Sequence, residues 1–172
     1  MNSESISFPG EWSNFLLDRE ILWKEAFEQE FHANIPFLYD AAYFHGYETL
    51  KPWEISARTV PAILAIWSSV KAELHEKFSL RDQAAAIEPM KKGIGLFLEI
   101  LYWSNQSPVL WKLNKTVLLD SKPVNWEERL NFIVTYLNKY HSYIQLTELF
   151  SEMEKLFIKH KIMSQAKKAS KS

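Results

Sequence analysis

Residues 87 to 111 read IEPMKKGIGLFLEILYWSNQSPVLW, and the middle of that run decides the fold. Between Gly93 and Trp103 the only ionisable groups are Glu99 and Tyr102, so a helix here is apolar nearly all round and belongs in a protein core. The run is too short to cross a membrane, which takes about 20 apolar residues. The pattern predicts a helix from Asp82, with Ile87 or Glu88 as the alternative start, because Pro89 suits only a first turn or a kink. Gly93 and Gly95 predict the close approach of another helix. No strand precedes them and no Gly-x-x-x-x-Gly-Lys spacing surrounds them, so they do not build a phosphate loop.

Amphipathic helices are expected on either side of this centre. Upstream, Val60, Ile63, Leu64, Trp67, Val70, Leu74 and Phe78 recur at helical spacing behind Thr59 as N-cap and Pro61 in the first turn. Leu16, Trp23, Phe27 and Phe31 predict an earlier helix from about Ser13 to His32, followed by a short helix and loop between Pro36 and Trp53. Downstream, Ser107 and Pro108 predict a short helix to about Leu119. Asn125 with Glu128, and Ser142 with Gln145, have the capping-box spacing, and apolar stripes follow each pair. After Lys161 the periodicity is lost. The expectation is an all-α, single compact bundle of six or seven helices around a buried central helix near residues 87–104. A flexible segment is expected over 1–11, one helical domain over 12–162, and a mobile Lys-rich tail over 163–172.

Composition removes several chemistries. The 172 residues suffice for one well-packed domain, and the absence of cysteine leaves no disulfide, thiolate nucleophile or thiolate metal site. The first residues, MNSESISFPGEW, have neither a basic opening nor an apolar run, so a cytoplasmic location with no membrane partner is expected. The net charge of −1 hides an asymmetry: residues 1–40 carry eight acids, whereas residues 156–172 carry five lysines and no acid. Those lysines, Lys159, Lys161, Lys167, Lys168 and Lys171, are candidate nucleic-acid contacts.

No catalytic, cofactor or metal site is legible. The five histidines include no pair at i,i+3 or i,i+4, no Glu-x-x-His occurs, and no Gly-x-Ser-x-Gly turn presents a nucleophile. Glu28 and His32 are four apart, a spacing more often met in a plain surface contact than in a metal site. Tyr39, Asp40, Tyr43 and His45 put polar groups beside aromatic walls and form the candidate ligand surface, against the plainer expectation that they seal the edge of a core. Glu99 is a candidate buried acid; the competing expectation groups it with Lys92, Gly95, Tyr102 and Gln106 in a narrow polar strip facing water. Among seven tryptophans, Trp12 and Trp126 have the most polar neighbours and are expected to be exposed at an interaction surface.

Two stretches, PMKKGIGLFLEILYWSNQSPV in the centre and HSYIQLTELFSEMEKLF from His141 to Phe157, resemble the YpoC-like family of small proteins from Bacillus and related bacteria. What matches are core helix positions rather than a catalytic signature, so the resemblance implies a helical fold and supplies no site residue. Genes of that family often neighbour replication and repair genes, which implies a link to DNA. The leading expectation is a non-enzymatic module that binds another protein. The alternative is an accessory nucleic-acid-binding protein using the basic C-terminus, and a third is a small-ligand binder or enzyme built on the aromatic segment 31–53.

Overall fold

The computed structural model describes residues 5–6, 21–110 and 119–171. Among them are six α-helices: α1 (Ala26–Gln29), α2 (Leu38–Phe44), α3 (Ser56–Ser79), α4 (Gln83–Ser104), α5 (Trp126–Thr135) and α6 (Tyr140–Ser170). One 3-10 turn spans Pro52–Glu54, and two-residue strands β1 (Ser5–Ile6) and β2 (Ile21–Leu22) pair antiparallel, with Ser5 opposite Leu22. The fold is all-α apart from that small ladder. No helix among the described residues is long and apolar enough to cross a membrane.

The central helix is where the sequence put it. Asp82 caps α4, its side chain accepting from the Ala85 N–H at 3.1 Å, and every residue from Gly93 to Trp103 is buried. Helix α3 reverses through Leu80–Asp82 and lies along α4, while α6 packs on both and α5 packs on α6. At the crossing, a Cβ added to Gly93 would stand 2.9 Å from Trp67 Cζ3 and 3.0 Å from Leu146 Cδ2. The missing side chain is what lets α3 and α6 meet over α4. Gly95 does the same for the chain before α2, where a Cβ would meet Pro36 Cβ at 3.2 Å.

Several expected boundaries move, each for a local reason. The helix expected from Ser13 to His32 is not continuous: β2 and a short α1 occupy its described part. Of the aromatics whose spacing looked helical, Trp23 and Phe27 do meet at 5.5 Å, but each also has a partner elsewhere, Trp23 against Tyr47 and Phe27 against His32, while Phe31 packs on Tyr39 and Trp103. Thr59 is not the cap of α3, which begins three residues earlier; its buried hydroxyl donates to the Pro52 carbonyl at 2.8 Å. Pro61 therefore sits in the second turn of the helix. Residues 107–110 are not helical, so Ser107 caps nothing there, and the rest of the helix expected to Leu119 lies outside the described residues up to 118. Asn125 does stand at the N-cap of α5, but in a left-handed conformation without a side-chain cap bond, so the box with Glu128 is not made. Ser142 lies inside α6, its hydroxyl donating to the Tyr136 carbonyl at 2.6 Å and so tying the α5–α6 corner. Beyond Lys161 the helix runs on to Ser170, because Lys, Met, Gln and Ala all favour helix and no Gly or Pro intervenes.

Candidate functional site

The structure divides the expected ligand surface in two. Tyr39 and Asp40 are buried on α2, whereas Tyr43 and His45 are exposed at its far end, so the four do not line one cavity. Tyr39 holds the preceding loop, its hydroxyl donating to the Glu30 carbonyl at 2.9 Å and accepting from the His32 N–H at 2.8 Å. Glu28 accepts from the Trp23 indole at 3.2 Å. Among the described residues no three His, Asp or Glu side chains come together as a metal site.

The other half is a pair of sealed carboxyls. Asp40 Oδ1 accepts from the Trp103 indole N–H at 3.0 Å and from the Val109 N–H at 2.7 Å, fastening α2 to the end of α4 and the chain beyond it. Burial raises its pKa to about 6, with both bonds opposing the rise. Glu99 is 2 % exposed, which overturns the polar strip expected to bring it to water. Gly95, one turn before it, admits the Pro36–Phe37 turn, and the Phe37 N–H donates to Glu99. Its pKa is pushed well above the ordinary range by burial first and by the charge of Asp40 second. Glu99 is thus the member of the pair that keeps its proton.

Both pKa values are raised on folding, so the folded chain binds more protons than the unfolded one. Their contribution to stability is complete below pH 4 and is lost as pH rises, for Asp40 through about 6. Urea midpoints are expected to fall between pH 4 and 8, and Asp40→Asn to remove the part of the fall between 4 and about 6, worth ~3 kcal/mol. An unchanged profile in that variant would count against the assignment.

Polar and aromatic groups also reach solvent together at the corner between α5 and α6. Phe132, Tyr136 and Tyr140 are 39 %, 47 % and 55 % exposed. The Phe132 ring lies 5.0 Å from Tyr136 and 5.8 Å, edge-on, from His141. Beside Phe132, Arg129 crosses from α5 to α6: its guanidinium meets Glu152 at 2.9 Å and Glu148 at 3.7 Å, and its Nε donates to Gln145 at 3.3 Å. Glu128, Arg129, Phe132, His141 and Gln145 line a shallow concavity of about 220 Å³. Arg129 is thus shared between two carboxylates, Glu148 and Glu152, while Lys139 stands exposed in the turn itself.

The other expected contacts fall as follows. Trp126 is not exposed; at 6 % it is buried under α5, so its polar neighbours misled. Trp12 lies outside the described residues. Lys159, Lys161, Lys167 and Lys168 are exposed on the last turns of α6, with Lys171 at its C-cap. Phe132 and Tyr136 were missed as site residues. They are four apart and off the stripe of Leu130, Ile133 and Leu137, which is the pattern of a second, outward apolar face.

The family model described as YpoC-like protein matches residues 57–165, from the start of α3 into the last turns of α6. Glu99 and the α5–α6 corner fall inside that match and Asp40 outside it. The uncharacterized protein YpoC of Bacillus subtilis (strain 168) is 37 % identical over 116 residues, covering 66 % of this chain and 71 % of the relative. No solved structure matches the chain.

Proposed function

The chain belongs to the YpoC-like family, and we propose that it is a non-enzymatic helical module that binds another protein chain through the α5–α6 corner. The observation that carries this reading is the exposure of Phe132 and Tyr136, whose rings lie 5.0 Å apart, beside a concavity that Phe132 itself lines. Large aromatics at a solvent-facing patch lose favourable burial until a partner covers them, and such side chains anchor interfaces. The buried carboxyls, by contrast, offer a substrate no approach: Asp40 is 0 % and Glu99 2 % exposed.

Replacing Phe132 and Tyr136 together by serine removes the anchors without touching the core stripe of α5. Capture of partners by the immobilised chain, read by mass spectrometry, is expected to lose its specific bands in this variant while the helical circular dichroism signal is unchanged. Each fully covered aromatic anchor is worth about 2 kcal/mol, so the pair should weaken binding by well over tenfold. Equal capture by parent and variant would refute the corner as the binding face.

A further inference from the structure

Helix α6 carries opposite charge at its two ends on one face. It is 31 residues long, about 46 Å at 1.5 Å per residue. Phe157 is the last of its residues packed against the core; from Ile158 to Ser170 every side chain is exposed except Ser164, which is half-buried. Ile158, Ile162 and Met163 are 47 %, 60 % and 52 % exposed there, among lysines and with no acid. A stretch of helix this short has little stability without packing, so an apolar and basic extension of this kind is a surface made to be covered.

Its register shows by what. Gln145, Glu148, Glu152, Lys155, Lys159 and Ile162 follow one another at alternating spacings of three and four, so they form one mostly charged seam along a single face of the helix. Turned antiparallel on itself about the midpoint of residues 153 and 154, that seam sets Glu148 opposite Lys159, Glu152 opposite Lys155, and Gln145 opposite Ile162. The Glu148 and Glu152 side chains are 56 % and 40 % exposed, so each keeps a free edge beside its bond to Arg129. Ile162 and Met163 of one copy arrive at the concavity between Phe132, His141 and Gln145 of the other.

We propose that the occupant of the α5–α6 corner is the basic end of α6 from a second copy of this chain, giving a twofold antiparallel dimer. The inference rests on the corner being a binding surface, and it names the partner. The contact is isologous, so both charge pairs and the apolar contact are made twice.

Sedimentation equilibrium of the full chain tests it. The parent is expected to dimerise with concentration and to weaken with salt. An all-acidic seam (Lys155→Glu, Lys159→Glu) and an all-basic seam (Glu148→Lys, Glu152→Lys) should each self-associate about tenfold more weakly or worse, and the two mixed should form a heterodimer. Because the basic variant also disturbs Arg129, Ile162→Asp, at an exposed position, provides an independent loss of dimer. A parent that stays monomeric at every concentration, or a dimer indifferent to these changes, overturns the proposal. If that monomer still captures a different protein through Phe132 and Tyr136, the dimer fails while the interaction module stands. A monomer whose lysines instead bind duplex DNA with a steep salt dependence overturns it in favour of a nucleic-acid partner.

Discussion

Asp40→Ala is expected to destabilise the chain by ~3–5 kcal/mol, while Asp40→Asn should cost no more than about a third of that. The carboxylate is fully buried and its Oδ1 is the acceptor for two buried donors, the Trp103 indole N–H at 3.0 Å and the Val109 N–H at 2.7 Å. Alanine leaves both donors without a partner and out of reach of water, at about 1–3 kcal/mol each. Asparagine keeps an acceptor oxygen in the same place and removes the like charge that raises the pKa of Glu99. The difference between the variants therefore separates the hydrogen bonds from the charge. Urea unfolding followed by tryptophan fluorescence measures both, and Trp103 supplies a local signal. Equal losses below about 1 kcal/mol in the two variants would show that Asp40 does not fasten α2 to the end of α4.

That role could not be read from the sequence, and the reason is instructive. Asp40 and Trp103 are 63 positions apart, and neither has a local pattern that names the other. Glu99 was legible as an anomaly, a lone acid in an apolar run, but helical periodicity offered it a polar strip with Lys92, Tyr102 and Gln106. The tertiary contact that overrides this strip is the Phe37 turn, held in a left-handed conformation at φ 65° and admitted by Gly95. The central helix, by contrast, was legible because an all-round apolar helix has only one stable environment. The same logic placed α3 through its stripe of Ile63, Trp67, Val70 and Leu74, all buried. Capping residues were read less well: Asn125 stands at the N-cap of α5 but makes no side-chain cap bond, while Thr59 and Ser142 spend their hydroxyls on the Pro52 and Tyr136 carbonyls.

The candidate site followed a similar division. Residues expected to be exposed because of polar neighbours, such as Trp126, are buried when their own side chain lies on the inward stripe of the helix. Phe132 and Tyr136 face outward although they are aromatic, because the inward positions of α5 are already taken by Trp126, Leu130 and Ile133. Where a short helix has more large apolar residues than inward positions, the surplus marks a surface, and that surplus is countable in a sequence.

Trp67→Ala is expected to cost ~4–5 kcal/mol, and Gly93→Ala ~1–3 kcal/mol, yet the second change should be far less harmful in the presence of the first. The Trp67 ring stacks on Phe150 at 3.9 Å and 4° and covers the backbone of Gly93, where an added Cβ would lie 2.9 Å from Cζ3. Truncating the indole opens a cavity bounded on one side by a residue with no side chain to fill it, so little collapse can offset the loss. In that cavity the Cβ of alanine at position 93 no longer meets an aromatic wall. Only Leu146 Cδ2 remains at 3.0 Å, the far end of a side chain that can rotate. Alanine also gains about 1 kcal/mol over glycine in a helix interior, so Gly93→Ala should be neutral or stabilising in the Trp67→Ala background. A double-mutant cycle on urea unfolding then gives a coupling of ~1–3 kcal/mol, of the sign that makes the double variant more stable than the sum of the two. Additivity within about 0.5 kcal/mol would mean that the two positions do not share one contact, and that α3 is held over α4 by something other than the glycine.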